Sequence, residues 1–255
     1  VVFVHDGGEA APSYDVTVTD GSLSDGPDSA SITFTNVNDA PTVGNNTGAT
    51  VAEGGNVTLT TTELSAVDPD DSGTGLVYTV TGGPANGQLE LTTNPGVAVA
   101  SFTQDDINNG FVTYAHDGSE TTGDGFGFSV DDGLGSASSA TFTITVSPVN
   151  DEQSLMTNTG TTVDEGSTTN TLTSAMLATS DPDHGAAQLT YTLTTAPTHG
   201  TLRLSGAALA ASDTFTQDDI DNGRITYDHD DSENLSDSFD FSVDDGAGTA
   251  SAGTF

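Results

Sequence analysis

The sequence predicts an all-β chain of tandem Greek-key β-sandwich domains in a linear array. Three observations carry that reading. Apolar residues alternate with a period of two, clusters of Gly, Asn, Asp and Pro interrupt the chain at short intervals, and the pattern recurs about every 112 residues.

Phe126, Phe128 and Val130 alternate with small or polar residues, as Phe142, Ile144 and Val146 do with Thr141, Thr143 and Thr145. Such alternation turns one face of a strand inward. Further strand-like runs fall at Val57–Thr61, Leu76–Val80, Gln88–Leu91 and Phe111–Tyr114. Roughly seven or eight short strands per unit suit a Greek-key sandwich, and no long helical pattern competes.

The recurrence sets the domains. Phe102 returns as Phe215 and Asp68 as Asp181 after 113 residues, while Glu53 returns as Glu165 and Asp39 as Asp151 after 112. A partial copy leads the chain, because VFVHDGGE matches the later VTYAHDGSE and ITYDHDDSE. Residues 1–41 are thus the C-terminal part of one repeat, 42–153 a complete repeat, and 154–255 a repeat lacking its last strand. The sequence reads as a window from a longer array.

Charge narrows the partners. The chain carries 38 Asp and Glu against 2 Lys and Arg, a net charge of -36. Nucleic acid and anionic membranes are bound by basic side chains that displace counterions, so neither is expected here. A surface this acidic repels itself unless divalent ions or salt compensate, so the expected partners are cations. The chain has no cysteine, hence no disulfide framework. No apolar run is long enough to span a bilayer.

Two stretches could do chemistry or merely shape the chain: FTQDDINNGFVTYAHDG at 102–118 and FTQDDIDNGRITYDHDD at 215–231. Thr103 followed by Asp106 has the spacing of a helix-capping box, with Gly110 as the stop, and Thr216, Asp219 and Gly223 repeat it. Asp105 and Asp106 then read as helix-start acids. His116–Asp117 and His229–Asp230 could serve acid–base catalysis only beside a nucleophile or bound water. No Gly-x-Ser-x-Gly elbow or His-Glu-x-x-His motif accompanies them, and a copy at fixed period fits a structural turn. Asn45, Asn56 and Asn234 lie in N-x-[ST] sequons.

Acidic motifs recur at matching places: VAEGG and VDEGS, VDPDD and SDPDH, FSVDDG twice, and NVNDAP and PVNDEQ. Asp, Asn and Gly populate turns on their own account. Calcium gives the acids a common reason, since it takes six to eight oxygen ligands, typically carboxylates and carbonyls from turns.

The order V-x-E-G, DPD, G-x-L, FTQDDIxNGxxxYxHDGSE, FSVDDG and VNDAP resembles the cadherin-like repeat of the chondroitin-sulphate proteoglycan (CSPG) type, found in large bacterial surface proteins and animal matrix proteins. The resemblance covers essentially the whole chain. It implies cadherin/immunoglobulin-like sandwiches, outside the cell, with Ca2+ bound where repeats meet. Carried over by position, the first set of ligands is Glu9, Asn38 and Asp39 with Asp68, Asp70 and Asp132. The second is Glu53, Glu120, Asn150 and Asp151 with Asp181, Asp183 and Asp245. The linkers depart from the cadherin pattern: both lack its second asparagine, Pro148 stands where an acid is expected, and PVNDEQ has no Ala-Pro.

The resulting expectation is a non-enzymatic stalk, fibre or adhesin segment at the cell surface, its joints stiffened by calcium. Its partners are neighbouring repeats, other copies in a fibre, or cell-surface and matrix ligands. An acidic scaffold of halophile type without specific metal, and accessory repeats of a secreted enzyme, are the alternatives.

Overall fold

The computed structural model describes residues 2–135 and 137–255, which divide into two compact units, Val1–Pro148 and Val149–Phe255. Residues 1–41 fall within unit 1, and Asn150 and Asp151 fall within unit 2.

Unit 1 begins with an antiparallel hairpin, β1 (Ser13–Thr19) and β2 (Ser24–Ser31). The repeat itself holds β3 (Thr42–Asn46), β4 (Ala49–Ala52), β5 (Asn56–Thr58), β6 (Leu64–Val67), β7 (Val77–Gly82), β8 (Gly87–Leu91), β9 (Asn94–Ala98), β10 (Ser101–Thr103), helix α1 (Gln104–Asn108), β11 (Val112–His116), β12 (Gly123–Asp131) and β13 (Ser138–Ser147). One sheet has the order β10-β7-β12-β13-β4 and the other β5-β11-β8-β9, while β3 pairs with β6. Successive strands change sheet repeatedly, the Greek-key connection that the turn spacing foretells. Among the described residues of unit 1 all neighbours are antiparallel except β4 and β13, which run parallel from Ala49↔Ile144 to Ala52↔Ser147.

The period-two residues build the core. Phe126, Phe128 and Val130 on β12 and Phe142, Ile144 and Val146 on β13 are buried, facing Leu89, Val112 and Tyr114 of the other sheet. Phe126 stacks on Phe142 with centroids 5.2 Å apart, and Tyr78 stacks on Phe102 at 5.0 Å. Each such side chain contributes about 1.5–3 kcal/mol by leaving water.

Helix α1 forms as its capping box predicts. Asp106 N–H donates to the Thr103 hydroxyl at 3.1 Å, Thr103 N–H donates back to Asp106 Oδ2 at 2.8 Å, and Gly110 ends the turn at φ +66°. The helix also delivers Gln104 to the core. Its buried Oε1 accepts from Ala66 N–H at 2.7 Å and from the Tyr78 hydroxyl at 2.8 Å.

Unit 2 repeats this plan with β14 (Ser154–Asn158), β15 (Asn170–Thr171), β16 (Leu177–Ser180), β17 (Thr190–Thr195), β18 (Gly200–Leu204), β19 (Ala207–Ala208), β20 (Thr214–Thr216), α2 (Gln217–Asp221), β21 (Ile225–His229), β22 (Asp240–Asp244) and β23 (Ser251–Thr254). Its sheets have the orders β20-β17-β22-β23 and β15-β21-β18-β19, and β14 pairs with β16. Tyr191 stacks on Phe215 at 5.0 Å, and Gln217 Oε1 takes the Thr179 N–H and Tyr191 hydroxyl as Gln104 does in unit 1. Among the described residues of unit 2, no counterpart of β4 pairs with β23. A cleft of about 450 Å³ lined by Val163, Leu172, Leu202, Phe239 and Phe255 lies in this unit.

The G-x-L motif acquires a cause. A Cβ on Gly87 would sit 2.4 Å from the Ala115 carbonyl and 2.7 Å from the Tyr114 hydroxyl, and one on Gly200 would sit 2.4 Å from the Tyr227 ring. Only glycine lets the tyrosine lie across the neighbouring strand.

Candidate metal centres

In unit 1 five residues of the first expected ligand set, Asn38, Asp39, Asp68, Asp70 and Asp132, form one hydrogen-bonded network, and the sixth, Glu9, lies beside it. Asn38 Nδ2 donates to Asp132 Oδ2 at 2.7 Å and to the Asp39 carbonyl at 2.9 Å. Asp39 N–H donates to Asp70 Oδ2 at 2.7 Å, and Asp68 Oδ1 accepts from the N–H groups of Asp70 and Asp71 at 2.7 and 2.9 Å. Carboxylate oxygens of Glu9, Asp39 and Asp70 lie within 4.8 Å of one another. The turn at 68–71 is thus an Asx-type turn in which Asp68 folds the chain over its own side chain, placing Asp70 against the linker.

The electrostatics are those of crowded acids. Partial desolvation, then the like charge of Asp70, push the Glu9 carboxyl above its ordinary range. The Asn38 amide, followed by Leu134 N–H, holds Asp132 below it. Asp68 Oδ2 is buried with no hydrogen-bond partner. A buried carboxylate oxygen left bare is costly unless a cation faces it, so the donor set fits a hard divalent ion such as calcium.

Unit 2 wires its own members of the second set in the same way. Asn150 Nδ2 donates to Asp245 Oδ2 at 3.0 Å and to the Asp151 carbonyl at 2.8 Å. Asp151 N–H donates to Asp183 Oδ2 at 2.7 Å, and Asp181 Oδ1 accepts from Asp183 N–H at 2.8 Å. Asp181 Oδ2 is buried without a partner, as Asp68 Oδ2 is. Glu53 and Glu120, the other two of that set, belong to unit 1, where Glu53 is half-buried and Glu120 exposed.

Two side chains in these networks escape the motif reading. Asn36 donates to Asp70 Oδ1. His184 follows Asp183 where unit 1 has Asp71, and its Nδ1 lies 3.3 Å from Asp181 Oδ1 and 3.7 Å from Asp245 Oδ2. The signal for His184 lies in Asp-Pro-Asp-His itself, whose last residue the Asp-x-Asp pattern leaves out.

The His-Asp pairs shape turns. His116 is buried, its Nδ1 accepts from Gly54 and Gly118 N–H at 3.1 and 3.2 Å, and its Nε2 meets the Thr121 hydroxyl at 3.0 Å. His229 Nδ1 likewise accepts from Gly166 and Asp231 N–H at 3.2 and 3.1 Å. Each ring ties the early Glu-Gly turn to the turn after its own strand.

Two-sheet Greek-key sandwiches in tandem, with Asp-x-Asp turns bonded to an Asn-Asp linker, define a cadherin-like repeat protein. The chain belongs to the cadherin-like family, whose model matches residues 41–146 and 154–255. It is 36% identical over 244 residues to the human extracellular matrix organizing protein FRAS1, covering 94% of this chain and 6% of that protein. It is 30% identical over 239 residues to human chondroitin sulfate proteoglycan 4, covering 89% of this chain and 10% of that one. The chain therefore spans a small fraction of these relatives. Among solved structures, human CDH23 EC21-23 aligns with a TM-score of 0.48 at 18% identity, over 95% of this chain and 72% of that one.

Proposed function

We propose that the chain is a structural segment of a long extracellular repeat protein, a stalk, fibre or adhesin, whose Asp-Asn networks bind calcium and so stiffen the array. The observation that carries the reading is the bare, buried Asp68 Oδ2 inside a network of further acids. The family membership and the matrix proteins among the relatives support the extracellular and structural parts.

Calcium, when bound, supplies the positive charge and the six to eight coordination positions that these oxygens can fill. In unit 1 Asp68, Asp70, Asp132, Glu9 and Asp39 present the oxygens, while Asn38 and Asn36 orient Asp132 and Asp70. In unit 2 Asp181, Asp183, Asp245 and Asp151 stand in the corresponding places, Asn150 orienting Asp245. Glu53 and Glu120 add two carboxylates of unit 1 to the acids proposed for calcium. Without a cation the acids repel and the segment flexes; with one, the linker is held to the Asp-x-Asp turn.

The test is scattering and thermal unfolding of the chain in calcium and after its removal. Extracellular modules load at about 10⁻⁴ to 10⁻³ M. The expectation is a longer maximum dimension and higher melting temperature with calcium, saturating at a few ions and resistant to monovalent salt. Unchanged profiles, or equal effects from sodium chloride alone, refute specific binding and leave an acidic scaffold solvated by salt.

A further inference from the structure

We propose that the cluster of Asp181, His184 and Asp245 in unit 2 is a site for a divalent transition cation of the zinc class, chemically distinct from the all-oxygen network of unit 1. At this one cluster Asp181 and Asp245, which the calcium reading also uses, go to a competing cation, and the proposal stands on a donor that unit 1 lacks.

The donors are nitrogen and oxygen. One ligand atom from each of the three side chains lies within 4.8 Å of the others, with Nδ1 to Oδ separations of 3.3 and 3.7 Å. Ligands held about 2.0–2.2 Å from zinc at tetrahedral angles stand roughly 3.4 Å apart, so small movements suffice to close a shell. Calcium takes oxygen, whereas imidazole favours zinc, cobalt, nickel and copper.

The cluster is also built and shielded. The Asp181 and Asp245 side chains are 0% exposed and that of His184 is 19% exposed. Asp181 Oδ1 is fixed by N–H groups of Asp183 and His184 at 2.8 and 2.7 Å, while its Oδ2 is buried with no hydrogen-bond partner. Asn150 at 3.0 Å and Ala247 N–H at 2.8 Å hold the two oxygens of Asp245. Outer contacts of this kind orient ligands and tune affinity by about 10–100-fold. In unit 1 Asp71 occupies the position of His184, with its N–H on Asp68 as that of His184 is on Asp181. One residue therefore changes the donor set while the turn is kept.

The test uses the 255-residue chain and Co2+, whose visible absorption reports nitrogen and oxygen coordination, with Zn2+ in calorimetry. Both are titrated first without calcium and then in about 1 mM Ca2+, which competes for Asp181 and Asp245 and should lower the apparent affinity without abolishing it. The expectation is one tight equivalent that shifts the His184 ring nitrogen resonances, is weakened at least tenfold in His184→Asp and His184→Ala, and persists in His199→Ala. His184→Asp restores the unit 1 pattern and is expected to fold, with circular dichroism as the check. No Co2+ or Zn2+ binding, affinity within twofold of wild type in His184→Asp, or loss in His199→Ala instead overturns the proposal. The imidazole is then a hydrogen-bond partner of Asp181 and nothing more. Calcium titration of Asp70→Asn in the same experiment reads the unit 1 network separately, so failure of one reading does not mimic failure of the other.

Discussion

The Tyr114 hydroxyl donates to Asp124 Oδ2 at 2.8 Å, and Tyr227 repeats the contact with Asp237 at 2.9 Å. Each aspartate also gathers three backbone N–H groups, those of Ala85, Asn86 and Gly125 in unit 1 and of Thr198, His199 and Ser238 in unit 2. The carboxylate thereby ties the loop before one strand to the start of another and to the tyrosine lying across Gly87 or Gly200.

This contact fixes an acid dependence. Burial opposes ionisation of Asp124, but the N–H groups and the tyrosine outweigh it and hold the folded carboxyl below its usual range. A depressed folded pKa gives stability that is full above the unfolded value of about 3.9 and is lost as pH falls through the folded value. Asp124→Asn should cost about 1–2 kcal/mol near neutrality. It should also flatten the decline in urea-unfolding stability below about pH 4. Parallel wild-type and variant pH curves would refute it.

The capping boxes give a second prediction. Thr103→Ala and Thr216→Ala should each lose about 1 kcal/mol by chemical denaturation, whereas the serine variants should lose only tenths. Equal losses for alanine and serine would mean that the threonine methyl, not the hydroxyl, matters.

Removing Gln104 tests a buried polar contact. Gln104→Leu leaves Ala66 N–H without its acceptor in the core, a cost of about 1–3 kcal/mol despite nearly conserved volume. Hydrogen exchange at Ala66 should speed up accordingly. Unchanged protection there would show that another acceptor had moved in.

Calcium linkage is the fourth prediction. At a calcium concentration a hundredfold above its dissociation constant the protein should gain about 2.7 kcal/mol. Asp68→Asn should lose most of the share due to unit 1, because it replaces the bare buried oxygen with an amide. A variant that keeps the full calcium-induced rise in melting temperature would remove Asp68 from the ligand set.

The strands and capped turns were readable because their causes are local. Phe126, Phe128 and Val130 declare an inward face two residues at a time, and Thr103 and Asp106 are one helical turn apart. The partners of Gln104 and Asp124 were not readable, because Ala66 and Ala85 are brought to them only when distant segments pack, 38 and 39 residues along the chain. The candidate sites fall between these cases. The resemblance to the cadherin-like repeat pointed to Asp68, Asp132, Asp181 and Asp245, but the wiring through Asn36, Asn38 and Asn150, and the approach of His184 to two acids, arise from folding. His116 and His229 show the converse: their recurrence pointed to a turn, and the N–H groups they accept explain why an imidazole is needed there.

The parallel pairing of β4 with β13 has a mechanical meaning. These strands lie near opposite ends of the sequence of one repeat yet side by side in its sheet, pointing the same way. Tension drawn through the repeat from its first residue to its last slides one lengthwise past the other. Their slanted hydrogen bonds are then strained together, as in a lap joint, rather than peeled apart one by one.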